Sequence, residues 1–191
     1  MLNERLPSVD LLRQILSYDP KTGTLTWNRR DEPSFLPRDG RTPSHIANAW
    51  NAAFSGKTAF TSAAKNKYLR GAVNGITLYA HRVAWAIYYG EWAEDDIDHI
   101  NGVRDDNRLI NLRAVTRRKN MQNREISSNN TSGVMGVSYS RRHKLWCAKI
   151  GDQHIGWFSN KMSATLARKD AELQMDYHKN HGRKPVEAIN G

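Results

Sequence analysis

The chain has 191 residues, with 29 Lys and Arg against 19 Asp and Glu, for a formal charge of +10. That length holds one good core or two to three small ones, and the cationic excess points to a polyanionic partner, since Lys and Arg laid on phosphates release condensed counterions. The single cysteine, Cys147, excludes an internal disulfide and a Cys-rich zinc site. No apolar run reaches the ~20 residues of a membrane helix, and the opening MLNERLPSVD lacks the apolar core of a signal peptide. A soluble cytoplasmic protein is expected.

In chain order, Ser8 is placed to cap a helix with an apolar face of Val9, Leu12, Ile15 and Leu16. Asp19-Pro20-Lys21-Thr22-Gly23 is a turn signal, and Thr24–Trp27 follows as a strand. Residues 31–66 are rich in Ala, Ser, Asn, Pro and Gly, show no sustained period, and read as an irregular insertion with a short helix around Ile46–Phe54. Tyr68–Val73 and Ile76–Tyr79 flank Asn74-Gly75, which suits a two-residue hairpin turn. His81–Tyr89 reads as a buried helix closed by Gly90, with its aromatic residues in the core.

Residues 97–125 read as strand, polar loop, strand and helix: Ile97–Ile100, then Leu112–Val115, then Arg117–Glu125 capped by Thr116. Ser127–Ser132 is a polar linker. Beyond it come three strands, Gly136–Ser140, Leu145–Ile150 and His154–Phe158. A helix over Ser163–Lys179 follows, its apolar side formed by Ala164, Ala167, Ala171 and Met175.

Phosphodiester hydrolysis needs a base for water, a cation to offset phosphate charge, and stabilisation of the leaving oxygen. A hard divalent cation takes oxygen ligands and keeps positions open for water and phosphate. Asp98 and His99 are neighbours on one strand, so they serve one site only if the strand twists or ends there. An Asn on a helix packed across the strands would add a second oxygen ligand, and Asn120 and Asn123 both meet that demand.

The run Asp98-His99-Ile100-Asn101-Gly102, Asn107-Arg108, Asn111-Leu112-Arg113, Thr116, Asn120 resembles the phage and intron-encoded HNH homing endonucleases, and His81-Arg82-Val83-Ala84 is similar to the segment before their motif. The resemblance implies a ββα-metal fold around one divalent ion, Mg²⁺ or Mn²⁺. His99 then matches the general base, Asp98 the first metal ligand and Asn120 the second, with Asn123 as the alternative. Asn111 matches the central Asn that braces the loop. Asn101, Asp105, Asp106 and Asn107 read individually as turn formers, and His81 as a packed residue. From Arg104 to Arg124 seven basic side chains face only Asp105 and Asp106, so Arg104, Arg108, Arg113, Arg117, Arg118 and Lys119 are candidate phosphate contacts.

Ser132-Gly133-Val134, Gly136-Val137, Trp146–Ile150, Ile155–Phe158 and the Ala-rich helix resemble the AP2 DNA-binding domain, a three-stranded sheet backed by a helix. A sheet of that kind fits the major groove. Ser138, Ser140, Gly151 and Asp152 stand where plant members carry Arg on the sheet, so base preference does not transfer. Arg141, Arg142, Lys144, Lys149, His154 and Trp157 are the candidate DNA contacts, while at least one of Trp146 and Trp157 packs on the helix. Tyr18-Asp19-Pro20, Thr22-Gly23 and Leu25-Thr26-Trp27 are similar to the openings of phage HNH proteins, with no mechanism attached.

The expectation is an α+β protein divided into an N-terminal helix-strand segment (1–30), an insertion (31–66), an HNH nuclease domain (67–126), a linker (127–133), an AP2-like domain (134–182) and a tail (183–191). It would act on double-stranded DNA as a monomer or weak dimer, without a membrane. It would be encoded by a phage or mobile element, and would leave 5′-phosphate and 3′-hydroxyl ends by nicking. The alternative is a DNA-binding regulator that has lost cleavage.

Overall fold

The computed structural model describes residues 6–122, 126–177 and 181–182, apart from the side chains of Arg118 and Gln122. It divides into two compact units, one of Met1–His99 with Val103–Ala114 and one of Ile100–Gly102 with Val115–Gly191.

The first unit opens with helix α1, Val9–Ile15, whose Ser8 side chain accepts from the Leu11 amide. Leu16 is not on that helix, as its apolar character implied, but begins strand β1, Leu16–Asp19. β1 pairs antiparallel with β2, Thr24–Trp27. Asp19 sets the turn between them by accepting from the Lys21 amide and the Thr22 hydroxyl, which holds its carboxyl below the ordinary range.

The insertion is more ordered than its composition implied. Thr42 caps, and Pro43 begins, the twelve-residue helix α2, Pro43–Phe54, and a short strand β3, Ser62–Ala63, follows. The Thr-Pro pair is a legitimate helix start, with a capping hydroxyl and a proline whose missing N–H has no intrahelical partner to lose. Strands β4, Leu69–Val73, and β5, Ile76–Tyr79, pair antiparallel, and β3 pairs with β4. Asn74 and Gly75 both adopt positive φ, 50° and 78°, as the two-residue turn requires. Helix α3, Ala80–Tyr89, ends on Gly90 in the left-handed region.

Leu12, Ile15, Leu16, Leu25, Phe60, Val73, Leu78 and Val83 meet in one core. The expectation that all the aromatics of α3 are buried is corrected, because Tyr88 and Tyr89 are half exposed. Strand β6, Asp96–His99, stops one residue short of Ile100 and forms a two-stranded sheet with β7, Leu112–Val115. Ile97 and Leu112 pack with Ala84 in a second small core.

In the second unit, helix α4, Arg117–Gln122, starts below the Thr116 hydroxyl, which accepts from the Lys119 amide. Strands β8, Val137–Ser140, β9, Leu145–Ile150, and β10, Gln153–Phe158, form an antiparallel sheet with β9 in the centre. Helix α5, Lys161–Gln174, is capped by Asn160. Its buried face is Ala164, Arg168 and Glu172 rather than the expected line to Met175, which is exposed. Arg168 and Glu172 are buried as an ion pair, Nη1 to Oε1 2.9 Å, which a search for apolar spacing does not find.

Candidate active site

β6 delivers Asp98 and His99 side by side, and both are buried. Asp98 is gripped by Arg113 of β7, whose Nε and Nη2 donate to Oδ2 at 3.0 and 2.7 Å. His99 lies against His81 and Tyr68, with ring centroids 5.1 and 5.5 Å away. Its Nε2 is 3.1 Å from the side-chain oxygen of Asn107. Burial pushes the His99 imidazole below its ordinary pKa, against the opposing pull of the Asn107 bond and Asp98.

The loop after His99 is held from two sides. Asn111, buried immediately before β7, donates through Nδ2 to the Asp106 carbonyl at 2.7 Å. The β1–β2 hairpin grips the next residues: the Tyr18 hydroxyl donates to the Asn107 carbonyl at 2.7 Å, and the Leu109 amide to the Pro20 carbonyl at 3.0 Å. Gly23, at φ 78°, sits so close that a Cβ there would lie 2.5 Å from the Arg108 nitrogen. Burial, with Asp19 and Asp106 nearby, raises the Tyr18 phenol far above its usual range, so it remains a donor.

Asn107 and Tyr68 reach this site although the sequence reading gave neither a place there. Asn107 is 2% exposed and contacts His99, where its Asn/Asp-rich surroundings suggested a simple turn former. His81 packs, as expected, but against His99 itself. Its Nδ1 is buried with no hydrogen-bond partner among the described residues, and burial lowers its pKa to about 3. The similarity of His81-Arg82-Val83-Ala84 to the HNH leader was the available signal for His81. Nothing local could have found Tyr68, which reaches the site from the β3–β5 sheet region.

The cations expected to meet phosphate fall into two sets. Arg113 pairs with Asp98, and Arg108 closes on Asp106 with two bonds of 2.7 Å. Arg104 donates to the Asn66 carbonyl and lies 5.4 Å from the Tyr68 ring centre. Arg117 is exposed, and Lys119 meets Asp176 at the surface, 3.3 Å apart. The Arg118 side chain and Asn123 lie outside the described residues. Asn120, half buried on α4, belongs to the second unit and Asp98 to the first.

On the second unit's sheet, Trp146 and Ala148 pack toward α5 with Ala164. Alternation therefore turns Cys147 and Lys149 to the opposite face, where the register adds Trp157 beside Cys147 and His154 beside Lys149. Trp157 is 44% exposed, with His143 and His154 rings 4.7 and 5.3 Å away. Arg141, Arg142 and Lys144 are exposed in the β8–β9 turn.

Residues 78–122 match the HNH endonuclease family model. This stretch is similar to HNH endonuclease domains. It contains Asp98, His99, Asn107, Asn111 and Asn120. Protein 3.8 of Escherichia phage T7 is 36% identical over 61 residues, which are 30% of this chain and 50% of that protein, so the chain spans half the length of this curated relative. A structure of DNA binding and cleavage by the HNH homing endonuclease I-HmuI aligns with 61% of this chain and 55% of that one, at 22% identity and a TM-score of 0.38. No helix among the described residues is long and apolar enough to cross a membrane.

Proposed function

We propose that the protein is a metal-dependent DNA endonuclease of the homing type that nicks double-stranded DNA. The observation that carries this reading is that the HNH match spans Asp98, His99, Asn111 and Asn120 together, with His99 buried beside Asp98 and held by a braced loop.

His99 takes a proton from a water molecule, and the resulting hydroxide attacks phosphorus in line with the 3′ oxygen, leaving 5′-phosphate and 3′-hydroxyl ends. Asp98 and Asn120 would hold a divalent cation, with Asn123 as the alternative ligand. Among the described residues no three His, Cys, Asp or Glu gather into a metal cluster. One carboxylate and one amide oxygen fit a hard, largely hydrated ion such as Mg²⁺ or Mn²⁺ rather than a closed zinc site. Such an ion supplies positive charge to the phosphate and the leaving oxygen. Arg113 holds one Asp98 oxygen and so orients the carboxylate.

The second unit's sheet is proposed as an AP2-like DNA reader, with Lys149, His154 and Trp157 on one face and Arg141, Arg142 and Lys144 at its tip. The exposed cations supply phosphate contacts, and the aromatic and histidine rings reach toward bases. One active site per chain makes a single-strand nick the product of a monomer. A weak dimer would cut both strands. The host cytoplasm of a phage or mobile element is the proposed setting, in keeping with the T7 relative.

Supercoiled plasmid incubated with Mg²⁺ or Mn²⁺ is expected to relax to the nicked form, and His99→Ala to be inert. Binding without metal-dependent cleavage across varied sequences would assign the chain to a regulator instead.

A further inference from the structure

We infer that Asn107 and the N-terminal β1–β2 hairpin act together as the positioning device for His99, fixing the imidazole as the Nε2–H tautomer with its lone pair on Nδ1. The inference rests on the assignment of His99 as the base but concerns residues to which the HNH pattern gave no such role.

The Asn107 side-chain oxygen can only accept, so its 3.1 Å contact with Nε2 places the proton on that nitrogen. A neutral imidazole carries one ring proton, and Nδ1 is then the basic atom. The selectivity depends on keeping the amide in place. Asn107 is 2% exposed, and its main chain is held by Tyr18 from β1. Pro20 holds Leu109, two residues on, while Gly23 leaves no room for the Asn107–Arg108 peptide to move toward the hairpin. Asn111 fixes the preceding carbonyl, at Asp106. The loop is thus anchored immediately before, at and after the residue that reaches His99.

This gives the segment 18–23 a purpose that its own sequence does not disclose. Its side chains lie in a different hairpin from β6 and contact the loop rather than the base. Its effect on His99 passes through the backbone of residues 107–109, which makes Tyr18 and Gly23 positioning residues at one remove from the Asn107 side chain.

The experiment is a long-range ¹H–¹⁵N correlation spectrum of the full-length protein at pH 8, with the His99 ring nitrogens assigned by comparison with His99→Gln. The expected pattern is a protonated-type Nε2 and an unprotonated-type Nδ1. Asn107→Leu should lose that preference and move both shifts toward the average of the two tautomers. Asn107→Asp, which keeps an acceptor, should restore it. Tyr18→Phe should give an intermediate shift. In plasmid nicking, Asn107→Leu should lower kcat roughly ten- to hundredfold with little change in KM, by analogy with metal-bound histidines that lose their orienting partner.

A wild-type spectrum showing Nδ1–H overturns the proposal without reference to any variant, as does an unchanged tautomer in a folded Asn107→Leu. The spectrum is independent of cleavage, so a protein that shows the Nε2–H form but nicks nothing would refute the nuclease reading and leave this one intact.

Discussion

Glu172→Leu isolates the effect of the ion pair buried beneath the C-terminal sheet. The Arg168 side chain is 2% exposed and Glu172 11%, and their 2.9 Å contact is joined by a 3.0 Å bond from Arg168 Nη2 to His181. Lys169 also reaches Glu172 at 2.7 Å, but from the surface. Removing the carboxylate leaves the buried guanidinium without its counter-charge and, among the described residues, with only the His181 hydrogen bond, a loss of about 3–5 kcal/mol. At about 1.4 kcal/mol per tenfold change, amide exchange in β9 and β10 should accelerate by roughly two to four orders of magnitude, up to the ceiling set by the unit's own stability.

The double change Arg168→Met, Glu172→Leu removes both charges while keeping most of the volume, and should recover most of the protection. Hydrogen exchange with mass spectrometry on peptides covering 145–158 reads both variants in the full chain. Acceleration below tenfold in Glu172→Leu, or a double variant as unprotected as the single one, would refute the reasoning.

Two further outcomes are expected. Gly23→Ala must relieve a 2.5 Å clash at a positive φ, so nicking should fall at least tenfold while the far-ultraviolet circular dichroism stays close to wild type; undiminished nicking would show that the hairpin does not press on the loop. The fold holds His81 neutral with a pKa lowered from 6.5 to about 3, whereas the unfolded chain binds that proton below about 6.5. Stability is therefore full above that pH and falls toward pH 3 by about 1.4 kcal/mol per unit. His81→Phe should remove about 2 kcal/mol of the difference between pH 8 and pH 5 in urea denaturation, and an unaltered difference would refute the burial argument.

The sequence was most readable where a local rule carried the structure. Ser8 caps, Asn74-Gly75 turns and Gly90 terminates because each needs only its immediate neighbours. Helix α2 was half read: composition drew attention to an irregular segment and away from Thr42-Pro43, which specifies a helix start by itself. On α5 the apolar residues gave the wrong limit, because burial there falls on Arg168 and Glu172, and a charged pair on one helical face has no apolar period.

At the candidate site, the spacing of the motif is what singles out Asp98, His99, Asn111 and Asn120 as proposed residues. Asn107 was hidden because the same residue type forms turns and orients imidazoles, and only the end of β6 decides which. Charge counting also ran ahead of the structure, since Arg108 and Arg113 are each closed on an Asp.

The hairpin's grip on Asn107 has a consequence for the order of folding. Tyr18 and Asn107 are 89 positions apart, so the loop that steadies the base closes only after most of the first unit has been synthesised and brought together. Contacts of such separation carry a large entropic burden and form late. On the proposed reading of His99, a partly folded chain would lack a positioned base. If the proposed activity holds, cleavage would then wait on closure of the first unit rather than on synthesis of the motif alone.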